Sequence, residues 1–152
     1  MVTFEASVPI FEPVAAKNNH AKAALNTRRG YLSFEIPMKS FRFEKSLMEE
    51  HFNDNYLETS RYPKATFKGI IEKYHADSLS NIATTHKIKG KITIHGKSKN
   101  ITVTGELQQV ENGIDLLTEF TLLTNDFDIQ IPYLVRDKIA KEVIVNIHAV
   151  FN

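Results

Sequence analysis

From Lys87 to Leu107 the chain reads KIKGKITIHGKSKNITVTGEL. Ile88, Gly90, Ile92 and Ile94 fall on one side of a two-residue period, with Lys87, Lys89, Lys91 and Thr93 on the other. After a break at His95-Gly96 the alternation returns as Ile101, Val103, Gly105 and Leu107. A period of two marks a strand with one buried face, and a glycine at the break supplies the positive φ that a tight turn needs. The stretch reads as a β-hairpin. Working outward, the same alternation occurs in Val2, Phe4, Ala6, Val8 and Ile10, and in Leu32, Phe34, Ile36 and Met38 after the turn Asn26-Thr27-Arg28-Arg29-Gly30. It continues in Ala65, Phe67, Gly69 and Ile71; in Ile114, Leu116, Thr118, Phe120 and Leu122 past Gly113; and in Val143, Val145, Ile147, Ala149 and Phe151. A weaker extended stretch runs from Val14 to Leu25, and Pro37 marks an edge or an irregular strand end.

One segment departs from this period. Between Glu44 and Thr59, residues Leu47, Met48, His51, Phe52 and Tyr56 recur at three- and four-residue intervals, with Glu49, Glu50, Asp54 and Glu58 turned away from them. That spacing predicts a helix of about residues 44–59, closed by Arg61-Tyr62-Pro63. Without a repeat, linker or break in composition, residues 1–152 read as a single domain. About eight strands at hairpin spacing each offer one apolar face, and closing the sheet buries all those faces while removing its edges. The expected fold is therefore all-β with one helix: an eight-stranded antiparallel lipocalin-like β-barrel. A barrel of eight strands is either just filled by its own side chains or holds one small ligand.

Charge and composition remove several functions. Nineteen Lys and Arg against eighteen Asp and Glu leave a net charge of +1, too little field for a dedicated nucleic-acid binder. The absence of cysteine excludes disulfides, thiolate metal sites and Cys nucleophiles. No run nears the roughly 18 apolar residues of a membrane span, so stable membrane insertion is not expected. There is no Gly-x-Ser-x-Gly elbow, phosphate-cradling loop or dinucleotide fingerprint. The six histidines lie in at least five elements without the pair spacing of a metal site, so no metal is expected. His95 shares its strand side with Lys91 and Thr93 and reads as a turn-stabilising or solvated residue. Lys87, Lys89, Lys91, Lys97 and Lys99 form the densest basic strip. The first three share a solvated face, with attraction of a phosphorylated head group or lipid surface as the alternative. Asp126 and Asp128 flank Phe127 and read as outward polar residues on one strand.

Three stretches in order carry a family resemblance. Met48 to Phe67 ends in Tyr62-Pro63-Lys64-Ala65-Thr66-Phe67; Gly90-Lys-Ile92-Thr93-Ile94-His95-Gly96-Lys97-Ser98-Lys99 follows; Asn125-Asp126-Phe127-Asp128-Ile129 precedes the strand Val143 to Phe151. Together they resemble the YceI-like family of bacterial lipocalin-like proteins. The Arg and Asp that the family usually carries ahead of the Tyr-Pro element are missing here, where Leu47-Met48-Glu49-Glu50-His51-Phe52 keeps the His. Lys97-Ser98-Lys99 replaces the family's Val-Thr-Lys.

The resemblance implies a tunnel that holds a polyisoprenoid or quinone-type lipid without covalent attachment, carried or sequestered with no catalysis. An isoprenoid lipid is then the expected partner, and a homodimer stays open. It also implies an exported protein, periplasmic or secreted, whose leader is absent from this chain; the start Met1 to Ser7 read by itself equally suits a cytoplasmic one. From periodicity, Phe34, Phe67, Phe120 and Phe127 converge inside a closed sheet, as packed core or as tunnel wall. The candidate ligand contacts are these four with Ile36, Met38, Phe43, Leu122, Val145 and Ile147, and with Met48, His51 and Phe52 of the helix. His51 is either a helix-packing residue or a polar group facing a ligand head. Two rival functions remain: an enzyme acting on a hydrophobic small molecule inside the barrel, which needs an inward carboxylate near His51, and a ligand-free stress-response or interaction domain.

Overall fold

The structure, a computed structural model, describes residues 2–8, 14–129 and 142–152. Among these residues ten strands form one antiparallel sheet: β1 Val2–Val8, β2 Val14–Asn18, β3 Lys22–Leu25, β4 Tyr31–Pro37, β5 Arg42–Phe43, β6 Lys64–Ile71, β7 Thr84–Ile94, β8 Lys97–Val110, β9 Gly113–Leu123 and β10 Glu142–Phe151. The order across the sheet is β3-β4-β6-β7-β8-β9-β10-β1-β2-β5. Its closure follows from one bent run of chain. β2 pairs with β1 and β3 pairs with β4, and only residues 19–21 separate β2 from β3. Residues 14–25 thus join the two ends of the sheet. Counted as one strand, with the two-residue β5 as an appendage to it, they leave the eight strands expected from the alternation.

The bend is held by a buried side chain. Asn18 is fully buried; its Nδ2 donates to the Pro37 carbonyl at 2.9 Å, and its Oδ1 accepts from the His20 amide at 2.9 Å. Pro37 ends β4 beyond the reach of β3, whose last partner in that direction is Glu35, so the ring nitrogen leaves no gap in the ladder. Alternation holds as written in the sequence: Leu32, Phe34 and Ile36 are buried along β4, and Ile88 and Ile92 along β7. Gly69 and Gly90 are register partners on the inner side, and the Phe67 ring lies across both. A Cβ at Gly90 would come within 2.5 Å of Phe67 Cζ, and one at Gly69 within 2.7 Å. The glycines are the slot into which that ring fits.

The helical segment is shorter than its periodicity. α1 spans Ser46–His51 and runs on into a π-helical turn, Phe52–Tyr56. Glu44 and Lys45 precede the helix, and at the far end Asn53, Asp54 and Asn55, poor helix formers, give way to Glu58 with φ of 47°. Leu47, expected on the apolar face, is 62% exposed. Phe52 anchors the segment instead, its ring 5.6 Å from Phe41 and 5.0 Å from Phe43. Among the described residues, no helix is long and apolar enough to cross a membrane.

Replacing Asn18 by Ala removes both hydrogen bonds at the bend. The expected loss is about 1–3 kcal/mol, read as a lower urea midpoint at unchanged slope. Asn18→Asp, which keeps the acceptor but buries a charge facing the Pro37 carbonyl, is expected to lose more.

Candidate functional site

Beneath the helical segment the barrel is not filled. A cavity of about 140 Å³ lies between Ile36, Met38, Phe41, Phe52 and Leu57 on one side and Phe120, Leu122, Phe127, Ile129 and Val145 on the other, and among the described residues its wall exposes no polar atom. A second space of about 30 Å³ continues toward the opposite end between Phe34, Phe67, Ile88, Leu116 and Ile147. Ile36, Ile92 and Phe120 line both and form the waist between them. An apolar cavity of roughly 150 Å³ stays dry and takes a benzene-sized guest. The larger chamber is of that size and character.

The predicted contacts divide accordingly. Met38, Phe52, Leu122, Phe127 and Val145 line the large chamber, Phe34, Phe67 and Ile147 the small one, and Ile36 and Phe120 the waist. Phe43 stands one layer behind, against Phe52. Met48 and His51 are half-buried but line neither space, where Phe52 is the helical segment's contact. His51 is half-buried, its Nδ1 2.9 Å from Asn55 Nδ2 and its ring stacked on Tyr56 at 6.3 Å, with no carboxylate bonded to it among the described residues. Phe41, Leu57 and Ile129 are wall residues that the sequence reading missed: Phe41 and Ile129 lie in connections where no period operates, and Leu57 falls off the apolar face read for residues 44–59.

The roof over the large chamber is a short 3-10 turn, Thr124–Phe127, whose Phe127 is 1% exposed. This turn replaces the strand expected around Asp126 and Asp128. Both acids are exposed, but they hold the turn from outside: Asp126 pairs with Lys99, and Asp128 with Lys97 at 3.4 Å. Lys97 and Lys99 therefore separate from the basic strip of β7. His95 supplies the remaining tie. Its Nδ1 lies 2.9 Å from the Phe127 carbonyl, its Nε2 lies 2.5 Å from Glu58 Oε2, and the Tyr62 ring meets it edge-on at 4.8 Å. A carbonyl only accepts, so Nδ1 carries a hydrogen, and Nε2 can also donate to a carboxylate when both ring nitrogens are protonated. With a side chain 10% exposed, His95 is neither solvated nor confined to its own turn.

Four described non-glycine residues have positive φ, and three of them, Glu58, His95 and Asp128, meet at this clamp. Such backbone conformations cost roughly 1–3 kcal/mol each and persist where surrounding contacts enforce them.

The sequence matches the model of the YceI-like domain over residues 2–151. The chain belongs to the YceI-like family. No curated protein matches it. Among solved structures, it is similar to BcnA of Burkholderia cenocepacia, with a TM-score of 0.84 at 18% identity, covering 99% of this chain and 96% of that one. A polyisoprenoid-binding domain from Saccharophagus degradans implicated in plant cell wall breakdown gives 0.80 at 14% identity, over 99% and 93%. The YceI protein of Campylobacter jejuni gives 0.67 at 20%, over 90% and 84%. At these identities the likeness establishes the YceI-like barrel.

His95→Ala in this YceI-like chain releases the Phe127 turn. The expected result is a stability loss of about 2 kcal/mol, a fall of roughly 4–8 °C in thermal midpoint, and faster uptake of an apolar dye that fluoresces on burial. An unchanged uptake rate would assign the clamp to stability alone.

Proposed function

We propose that this protein binds the hydrocarbon of a polyisoprenoid or quinone-type lipid inside its barrel, carrying or sequestering it without chemistry. The observation behind this reading is the chamber of about 140 Å³ whose wall, among the described residues, exposes no polar atom. The likeness in fold to a domain described as polyisoprenoid-binding supports the same class of guest. Each methylene-sized group withdrawn from water contributes about 0.8 kcal/mol, so about five carbons contribute roughly 4 kcal/mol with no polar contact. That is one isoprene unit, close to what a cavity of this size takes as it stands. A longer chain has to pass the waist, which requires the Phe120 ring to swing and merge the two spaces.

The absence of catalysis belongs to the same proposal. Proton transfer needs a titratable group within hydrogen-bond reach of the reacting atom. Among the described residues the chamber wall presents none, and His51 lines neither space. An exported carrier, periplasmic or secreted, fits this role.

The test is native mass spectrometry of protein from a bacterial host, followed by extraction and titration with prenyl quinones of increasing length. A bound mass of a few hundred daltons lost on organic extraction is the expected result, with roughly that mass set by several isoprene units. A bare mass that persists after prenyl quinones are offered overturns the reading. Phe120→Trp, which fills the waist, is expected to weaken long prenyl chains at least tenfold relative to short ones, with the thermal midpoint nearly unchanged. Equal capture of long chains would remove the waist from the binding path.

A further inference from the structure

The outer face of β4, β6 and β7 carries charge that neither the barrel nor the chamber uses. Its two acids are each taken by a lysine: Glu35 by Lys64, and Glu72 by Lys89 at 2.7 Å. Lys68, Lys87 and Lys91 make no ion pair among the described residues, and Lys68 stands directly opposite Lys91 in the register. Like charges directly opposite across two strands are destabilising, and here nothing acidic lies between them. Exposed Arg28 and Arg29 in the turn before β4, and Lys73 just after β6, extend the same field at one end. On a chain whose total is only +1, this concentration leaves the rest of the molecule with more acids than bases. The carboxyl of Glu72 registers the field: it is held below the usual carboxylate range first by its hydrogen bond to Lys89, then by the charges of Lys89, Lys87 and Lys73.

The second observation is apolar. Tyr31 is 50% exposed and Ile70 40% exposed; the two are register partners, and Ile70 is in turn opposite Lys89. An exposed aromatic and an exposed aliphatic side chain set among lysines match the layered chemistry of an anionic bilayer surface, with phosphates outermost and acyl carbon beneath. A nucleic-acid backbone would meet the lysines but has no use for Ile70, and the sequence pI of about 8.0 falls short of the basic excess typical of nucleic-acid domains.

We propose that the outer face of β4–β6–β7 docks this protein peripherally on anionic lipid bilayers, with Lys68, Lys87 and Lys91 against the head groups and Tyr31 and Ile70 at their boundary. This docking stands whether or not the barrel holds a lipid, so its test is separate from that of the chamber.

The experiment is flotation of the full chain with phosphatidylcholine vesicles, with and without phosphatidylglycerol, at about 0.1 M and about 1 M salt, between which the Debye length falls from roughly 10 Å to 3 Å. Binding is expected to the phosphatidylglycerol vesicles alone, and to be lost at the higher salt. K68Q/K91Q is expected to weaken it about fivefold per lysine, roughly twenty-five-fold for the pair. Y31S is expected to weaken it with little change in salt dependence. R28Q/R29Q, in an exposed turn, gives the same reading should the strand variant fail to fold. The proposal is overturned if the protein does not float with phosphatidylglycerol vesicles at the lower salt, or if neither charge variant differs from the parent. Tighter retention on duplex DNA or polyglutamate than on the vesicles also overturns it, and assigns the face to another anionic partner.

Discussion

A sheet keeps two edges unless some segment pairs with both of them, and in this chain residues 14–25 are that segment. Their first half lies on β1 and their second on β4, with the direction changing at a buried asparagine. An open sheet of these strands would leave unpaired backbone groups along two edges and one apolar face against water. Once the seam is shut, both problems vanish together, and the strand faces that alternate in the sequence become the inside of a container. The polar contacts of Asn18 are few, but they satisfy backbone groups at the one place where neither ladder can.

How full that container is depends on what caps it. Toward the small chamber, strand side chains meet one another: Phe34 and Phe67 face each other across β4 and β6 at 6.3 Å, and two glycines admit the Phe67 ring. Toward the large chamber, the wall is completed by the helical segment and by the turn at Phe127, elements that arrive from connections and do not interdigitate as paired strands do. Space remains between them. The roof is held from outside by two exposed ion pairs, each worth little in water, and by the more deeply placed contacts of His95. The three left-handed residues at that clamp fit a roof whose shape is imposed by tertiary contacts against local preference.

Charge is segregated in a comparable way. The described walls of the two chambers expose no polar atom, the roof pairs its acids with Lys97 and Lys99, and the lysines of β6 and β7 are left largely to solvent. Lys97 and Lys99 lie close in sequence to the β7 lysines, yet the hairpin sends them to a different task.

The strands, their inward residues and the family were legible in the sequence because alternation is local: a residue's neighbours two positions away suffice to say which side of a strand it takes. Ten of the predicted contacts reach the two chambers or their waist for that reason. The helix was legible as a change of period and Phe52 as one of its apolar residues, but not its bounds or which of those residues turns inward, since six residues of α-helix leave rotation to whichever ring finds a pocket, and Phe52 found one between Phe41 and Phe43. His95 could not be read at all, because its partners Phe127 and Glu58 lie 32 and 37 residues away and no period connects them. The amino-acid order by itself determined a closed, one-sided sheet with an oily interior. Only the tertiary structure decided that the interior keeps a void and which residues roof it, because a cavity is the small difference between large packed volumes contributed by segments far apart in the chain.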